Sequence, residues 1–187
     1  MAKIVAAMNM TLDGYCDHTS MTADDEIHQH YTELLLNSGA ALYGRKTYEL
    51  MEFWPPLVTN PSGNKAMDDF AVVMDNIPKI VFSRTLKNLA WQTATLAKRD
   101  LEDEVLHLKK QEGNDILVGS PSLIAQLTQL GLIDEFQIAI HPTIVGSGLQ
   151  LFKDITDRVD LKLTKVKMFG CGATLCYYEP ADVRVTP

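Results

Sequence analysis

The residues best suited to chemistry stand where an apolar run ends at Gly44 and gives way to Arg45, Lys46 and Thr47. A glycine lets backbone N–H groups approach a ligand closely, and two cations attract an anion. Thr47 is a suitable cap for the helix expected to follow, and a helix N-terminus favours phosphate. This string therefore predicts a phosphate-binding junction; an ordinary solvated helix start is the alternative.

A second junction of the same kind follows the apolar residues 116–118. It begins with a glycine and continues with small, hydroxylated and apolar residues, namely Gly119, Ser120, Pro121, Ser122 and Leu123. Proline lacks the N–H that would stay unpaired in a first helical turn, and serine is suited to capping. Because strand ends of one open α/β sheet face the same crevice, we expect both junctions to contact one ligand.

Two weaker signals accompany these junctions. The apolar run at 80–82 continues into Ser83 and Arg84, and a hydroxyl beside a planar guanidinium suits a phosphate monoester. An ordinary polar turn is the alternative. Val145 precedes and Gly146 begins a Gly-x-Gly string, which is typical of nucleotide loops but more often serves a bend.

The elements that must position these residues follow from hydrophobic periodicity. Consecutive apolar residues predict buried strands at residues 4–8, 40–43, 79–82, 115–118 and 136–140. Helical patterns predict helices at residues 24–37, 48–53, 64–74, 101–111 and 122–130. Alternation at 161–168, followed by 174–178, predicts a C-terminal antiparallel hairpin that is wet on one face. The predicted class is α/β, with a mixed, mostly parallel central sheet flanked by helices; the proline-rich segment 54–63 is interpreted as a surface loop near the site.

Composition restricts the possible classes. The chain of 187 residues fits one domain, assigned to residues 1–180, with a tail at 181–187. A net charge of -7 without a basic block argues against nucleic-acid and membrane partners. Three cysteines without C-x-x-C spacing indicate neither a disulfide framework nor a zinc site, so we expect a reduced, cytoplasmic protein. His28 and His30 point in different directions on a helix, and we interpret them as solvent-exposed rather than as metal ligands.

Taken together, these segments resemble the dihydrofolate reductase superfamily. The resemblance covers nearly the whole chain and is carried by residues 12–14, 42–49, 82–85, 117–119, 131–135 and 141–148. The Gly-Leu-Ile-Asp-Glu string at 131–135 and the His-Pro pair at 141–142 favour the branch related to the riboflavin-biosynthesis reductase domain over true folate reductases.

The resemblance implies hydride transfer from NADPH and assigns roles by position. Cofactor phosphates would be held by Gly44, Arg45, Lys46 and Thr47, the adenosine 2′-phosphate by Ser83 and Arg84, and the pyrophosphate by Gly119, Ser120, Pro121, Ser122 and Leu123. The nicotinamide and the substrate would be bordered by Ala6, Ala7, Asp13 and Gly14, with Val145 and Gly146 as further cofactor contacts. This chain departs from the family by having Ser120 where paired glycines are common.

Hydride transfer needs aligned rings, exclusion of water and a source of a proton, so few catalytic groups are expected. Asp13 is the first candidate, because it follows a strand directly and stands beside a glycine. Asp25 is the second, on the first helix, where the alternative is an acidic turn that complements the helix dipole. Trp54 is a candidate to cover a substrate ring or to anchor its loop, and His141 to face the cleft or to make a structural hydrogen bond.

Three functions remain open from the sequence. The first is reduction of a heterocyclic, ribosylaminopyrimidine-like substrate, as in 5-amino-6-(5-phosphoribosylamino)uracil reductase. The others are dihydrofolate reduction and non-catalytic binding of NADPH. Without an H-x-E or P-C-x-x-C string, the sequence excludes the accompanying deaminase chemistry. The resemblance also implies a homodimer joined through strands of the C-terminal half.

Overall fold

The computed structural model describes residues 1–181, which form one central sheet with helices on both faces. Eight strands build the sheet: β1 (Ile4–Thr11), β2 (Ser38–Gly44), β3 (Lys79–Phe82), β4 (Ala94–Leu96), β5 (Asp115–Val118), β6 (Glu135–His141), β7 (Leu161–Met168) and β8 (Thr174–Pro180). Six helices accompany them: α1 (Asp25–Leu36), α2 (Arg45–Met51), α3 (Pro55–Thr59), α4 (Lys65–Asn76), α5 (Leu101–Lys109) and α6 (Pro121–Gln129). Of the predicted tail, residues 182–187 lie outside the described residues.

The strand order is β4-β3-β2-β5-β1-β6-β8-β7. The first six strands in this order pair in parallel, and β8 pairs antiparallel with both β6 and β7. The predicted α/β class and the C-terminal antiparallel hairpin are confirmed. Within residues 1–181 no helix has the length and apolar character required to cross a membrane.

Each face of the sheet has its own core. On one face, α5 and α6 pack over alternate residues of the central strands, represented by Ile4, Ala6 and Val118. On the other face, α1, α2 and α4 pack over the intervening residues, represented by Ala7, Tyr43 and Leu117. Strand side chains alternate between faces, so neighbouring residues such as Ala6 and Ala7 enter different cores.

Two local predictions are wrong, and one strand was not predicted. Helix α2 begins at Arg45 rather than at residue 48, with Gly44 in extended backbone as its N-cap. The predicted loop at 54–63 contains α3, because Pro55 and Pro56 occupy its first positions, where their fixed φ suits a helix. The short edge strand β4 was not expected, since its three residues are too few for a periodic pattern.

The hairpin differs from its prediction in exposure. All eight residues of β7 are exposed, so this strand is wet on both faces rather than on one. It is the last strand of the sheet, and none of α1 to α6 packs over it. The alternating pattern therefore identified the strand but not the absence of a covering layer.

Candidate functional site

A cavity of about 520 Å³ opens beside the carboxyl ends of the central parallel strands. Its floor includes Ala7 and Asn9 of β1, Tyr43 of β2 and Leu117 of β5. Helices α1, α2 and α4 supply the walls. This is the position at which open α/β sheets bind ligands.

The first predicted junction lies at the rim of the cavity. Lys46 and Thr47 line it, whereas Arg45 is exposed and pairs with Glu49 at 3.1 Å. Thr47 does not cap the helix, because α2 starts two residues earlier and has no side-chain cap. The exposed ion pair stabilises the protein little, so Arg45 can turn towards a ligand at small cost.

The second junction is bonded to the first. The backbone N–H of Gly44 donates to Oγ of buried Ser120 at 2.8 Å. Ser120 occupies the N-cap position of α6, but its hydroxyl makes this cross-strand bond instead of capping, while Pro121 begins the helix one residue before its predicted start. Ser120 therefore links the two strand-to-helix junctions, and Gly119 and Pro121 line the cavity.

Both glycines keep this cradle open. A Cβ on Gly119 would stand 3.3 Å from the Cε1 ring carbon of Tyr43. A Cβ on Gly44 would stand 3.4 Å from Oγ of Ser122, in the space between the two junctions. The backbone here has the close approach that a pyrophosphate requires, so these residues fit the phosphate groups of a dinucleotide.

The third predicted piece lies next to the first along the edge of the sheet. Gly44 is in register with Phe82, which places Ser83 beside Arg45 at the ends of adjacent strands. Oγ of Ser83 accepts bonds from the N–H groups of Thr85 and Leu86, at 3.2 and 3.0 Å, and so shapes the turn. Arg84 is exposed and makes no ion pair within residues 1–181.

Other predicted contacts are not brought to the cavity. Ala6 and Leu123 are buried in the core on the opposite face of the sheet. Ser122 is exposed on α6 beside Gly44, outside the cavity lining. Gly14, at φ +90°, forms a tight turn whose N–H donates to the carbonyl of Thr11.

The Asp13 carboxylate holds a neighbouring loop instead of lining the cavity. It accepts from the Thr11 hydroxyl at 2.6 Å and from the N–H groups of Val145 and Gly146 at 3.1 and 2.7 Å. These hydrogen bonds, with that of Thr11 the largest, lower the pKa of Asp13. The carboxylate and both N–H groups are thus engaged with one another, which gives Asp13, Val145 and Gly146 a shared structural role in this geometry.

Asp25 lies on the surface and accepts a hydrogen bond from the side-chain amide of Asn64 at 2.9 Å. The acid that shapes this turn is its neighbour Asp24, which caps α1 by accepting from the N–H of Ile27 at 2.9 Å. The second oxygen of Asp24 accepts from the N–H of Cys171 at 2.9 Å and so ties α1 to the β7–β8 turn. Neither of the predicted catalytic acids, Asp13 and Asp25, contributes to the cavity lining.

The cavity contains a histidine that sequence reasoning had placed in solvent. His28 lines the cavity, with its Nδ1 3.0 Å from the carbonyl of Asp24. His30 is buried on another side of α1, where burial lowers its pKa to about 4. The interpretation of both as exposed is wrong, because α1 is packed on two sides. The inward spacing of Ile27, Tyr31 and Leu35 was the available signal, since His28 adjoins that stripe.

The sequence predicted only one member of a hydrogen-bonded pair in the cavity, His141. His141, at the end of β6, lines the cavity and its Nε2 lies 3.2 Å from Oδ1 of Asn9 on β1. Both alternatives considered for His141 are therefore realised, because it faces the cleft and makes a structural hydrogen bond. Burial lowers the pKa of this histidine.

Trp54 both lines the cavity and anchors its segment, the two roles considered for it. The indole lines the cavity and packs edge-on against Phe70, with ring centroids 4.5 Å apart. His28 approaches both rings edge-on at 6.1 Å. Trp54 thus anchors the start of α3 and forms a cavity wall.

The sequence matches the RibD C-terminal domain over residues 2–175. The chain belongs to the RibD C-terminal domain family. Its relatives include the Bacillus subtilis (strain 168) protein YyaP, which is 33% identical over 181 residues, or 95% of this chain and 94% of YyaP.

Solved structures support the same fold. A protein from Shewanella sp. PV-4, described as a candidate riboflavin biosynthesis protein, has a TM-score of 0.71 at 18% identity and covers 97% of this chain and 99% of its own. The diaminohydroxyphosphoribosylaminopyrimidine deaminase/5-amino-6-(5-phosphoribosylamino)uracil reductase of Thermotoga maritima has a TM-score of 0.67 at 20% identity, over 96% of this chain and 57% of its own. The RibD C-terminal domain of the present protein therefore has the fold of riboflavin-biosynthesis reductases.

Proposed function

We propose that this protein is an NADPH-dependent reductase that transfers a hydride to a small ring-containing substrate. The observation that carries the proposal is the hydrogen bond from Gly44 to Ser120, which joins two glycine-containing junctions at the mouth of the cavity. Family membership supports a reductase in particular. When bound, NADPH would supply the hydride from the C4 atom of its nicotinamide ring.

We assign phosphate binding to the two joined junctions. Gly44 and Gly119 allow backbone approach, Lys46 at the rim brings a positive charge, and α6 directs its N-terminus to the same place. Arg84 is the proposed partner of the adenosine 2′-phosphate, because it is exposed at the end of the adjacent strand. Its planar fork of donors suits a phosphate monoester.

We assign alignment of the reacting rings to the apolar floor of the cavity. Ala7 leaves room for a flat ring above β1, and Tyr43 and Leu117 exclude water from below. A dry cavity prevents loss of the hydride to side reactions and strengthens polar contacts with the ligand.

His28 is the proposed source of the proton. In the tautomer that donates from Nδ1 to the Asp24 carbonyl, the ring is held in place and Nε2 is the nitrogen available to a ligand. When Nε2 also carries a proton, it can donate that proton to the substrate as the hydride is transferred. Asp25 lies on the surface, which argues against dihydrofolate reduction with Asp25 as the acid that binds the substrate.

The experiment compares NADPH with NADH in equilibrium binding and in oxidation followed at 340 nm. Substrates are 5-amino-6-(5-phosphoribosylamino)uracil and dihydrofolate. Arg84→Ala should weaken NADPH binding about 10-fold or more and leave NADH within about twofold, because only NADPH carries the 2′-phosphate. Arg158→Ala, an exposed arginine paired with Asp160 before β7, is the matched control.

Equal weakening of both cofactors by Arg84→Ala would contradict the 2′-phosphate assignment. Absence of NADPH binding in the unaltered protein would overturn the proposed function as a whole. NADPH binding without oxidation of either compound would contradict both of these substrates.

The same proposal includes a homodimer in which a second copy covers β7. Pairing across β8 places four apolar residues on one face: Leu161, Leu163, Val166 and Met168. They remain on one face despite the alternating sequence, because the register shifts between Leu163 and Lys165. All four are exposed, with Met168 at 73%, and they continue the core face of β6 beyond the helices. A row of this kind at a sheet edge is typical of a protein interface.

A further inference from the structure

The cavity lining comprises two chemically different groups of residues. The junction group contains Gly119 and Lys46, which are assigned above to the cofactor. The second group comes from α1, α2, α4 and the start of α3, and comprises Tyr31, Leu50, Met51, Trp54, Phe70 and Met74. The second group thus forms an aromatic and thioether-rich compartment, of a kind that suits flat, polarizable rings.

Fixed charge is scarce in this lining. Among residues 1–181, Lys46 is the one Lys or Arg side chain that lines the cavity, and Asp17, 3.8 Å from Nδ1 of His18, is the one Asp or Glu. Asp17 is engaged by the N–H and hydroxyl of Thr19, at 3.0 and 2.7 Å, which lower its pKa, so it stays anionic. If Lys46 holds a cofactor phosphate, no further Lys or Arg of the lining pairs with a phosphate on the substrate, and Asp17 repels one.

Several polar side chains of the lining carry no fixed charge. His28 stands edge-on to Trp54 and Phe70, and Asn9 and His141 form a hydrogen-bonded pair at the floor. Such groups can orient one or two ring heteroatoms or carbonyl oxygens. They match a neutral ring with a few polar atoms better than a sugar phosphate.

We propose that the hydride acceptor is an uncharged, flat, conjugated bicyclic ring that carries a ring carbonyl, and that phosphorylated ribosylamino compounds are poor substrates. This inference rests on the proposed NADPH-dependent reductase function and deepens it by giving the substrate class. The ring occupies the compartment beside Trp54, with its carbonyl towards His28.

The reaction balances as a two-electron reduction. The C4–H bond of the reduced nicotinamide breaks, and its electron pair and hydrogen pass as a hydride to one carbonyl oxygen of a quinone-type ring, where the first O–H bond forms. One proton, from Nε2 of His28 or from solvent through it, forms the second O–H bond at the other carbonyl oxygen. The nicotinamide cofactor is oxidised to NADP⁺, and a quinone-type ring is reduced to the hydroquinone.

The test uses 2,3-dimethyl-1,4-naphthoquinone, whose methyl groups hinder addition of thiols, against 5-amino-6-(5-phosphoribosylamino)uracil. Binding of each compound to the full-length protein is measured by calorimetry, with and without NADP⁺. NADPH binding is measured separately, and oxidation at 340 nm is corrected for the reaction without enzyme. We expect the quinone to bind at least about 10-fold more tightly and to be reduced faster than the phosphorylated compound.

Two leucines provide a matched pair of variants. Leu50 on α2 lines the compartment and is 37% exposed, whereas Leu106 on α5 lies outside it and is 38% exposed. Leu50→Asn should weaken quinone binding about 10-fold through loss of apolar contact, while NADPH binding stays within about twofold. Leu106→Asn should change neither affinity.

The possible failures are distinguishable. Tighter binding or faster reduction of the phosphorylated compound, with NADPH bound, overturns the substrate class and leaves the reductase function standing. Absence of quinone binding in the presence of NADP⁺ overturns it as well. Equal effects of Leu50→Asn and Leu106→Asn overturn the placement in the compartment. Absence of NADPH binding overturns the reductase function, while calorimetry still reports whether the compartment binds the ring.

Discussion

The two ends of the sheet differ in what covers them. Around β3, β2 and β5 both faces lie under helices, and the strand ends border a cavity that helices wall on its sides. At the other end β7 is exposed along its whole length, although it carries four large apolar residues. Both ends pair strands regularly, so the contrast lies in the covering layer and not in the sheet itself.

This contrast teaches that exposed and enclosed apolar residues serve different ligands. A cavity with glycine-lined entrances suits a small molecule that replaces water in a confined space. A flat, open apolar row suits a large surface such as that of another protein chain. We therefore expect substitutions at the two ends to affect separate measurements.

The largest effect is expected at the enclosed end, from Gly44→Val. The added carbon atoms would extend towards Oγ of Ser122, from which a Cβ alone would be 3.4 Å away, and would fill the phosphate cradle. NADPH binding should weaken about 100-fold or more, because at least two charge-assisted hydrogen bonds are lost. Equilibrium titration with NADPH measures this effect, and the thermal midpoint reports on folding.

Gly170→Val is the control for that substitution. Gly170 lies in the β7–β8 turn, where a Cβ would be 3.7 Å from Oε2 of Glu26. It should leave NADPH affinity within about twofold, as expected for a site without shared contacts. Unchanged NADPH binding by a folded Gly44→Val protein would remove the cradle from the proposed cofactor site.

The exposed end is tested by the double substitution Val166→Lys and Met168→Lys. Two ammonium groups in the apolar row should weaken self-association about 100-fold or more, because buried unpaired charges oppose association. Sedimentation equilibrium should show a dimer for the unaltered protein and a monomer for the variant. NADPH affinity should not change.

Leu36→Lys, on an exposed leucine of α1, controls for the added charge. It should leave the dimer intact. A monomeric unaltered protein, or a variant that remains dimeric, would contradict the assignment of β7 to a dimer interface.

A smaller effect is expected from pH, through His30 under the β6–β8 end of the sheet. Burial, the main cause, and the charge of Lys167 hold its pKa at about 4, below the ordinary value of 6.5. The unfolded chain therefore binds more protons between these values, so stability is fully present above about pH 6.5 and decreases as the pH falls towards 4. The loss attributable to His30 is at most about 3 kcal/mol.

Chemical denaturation between pH 7.5 and 4.5 measures this dependence. His30→Gln should reduce it, whereas His107→Gln, on an exposed histidine of α5, should leave it unchanged. An equal pH slope in the His30→Gln protein and the unaltered protein would show that His30 does not control acid sensitivity.

Local sequence signals predicted the strand-to-helix junctions because these depend on residues close together in the chain. The glycines at 44 and 119 and Pro121 occupy the positions expected of them. The role of Ser120 was not predictable, since its hydroxyl partner is 76 residues away. The role of Asp13 was not predictable for the same reason. Its carboxylate accepts hydrogen bonds from the N–H groups of Val145 and Gly146, which approach it only in the folded chain.

The sequence by itself determined the α/β class, the main parallel strands and the residues at their ends, because periodicity and local backbone chemistry operate within a few residues. Only the tertiary structure decided that His28 enters the cavity, that Asp25 stays on the surface and that β7 remains uncovered. Each of these outcomes depends on which element packs against which, and such packing is set by contacts between distant parts of the chain.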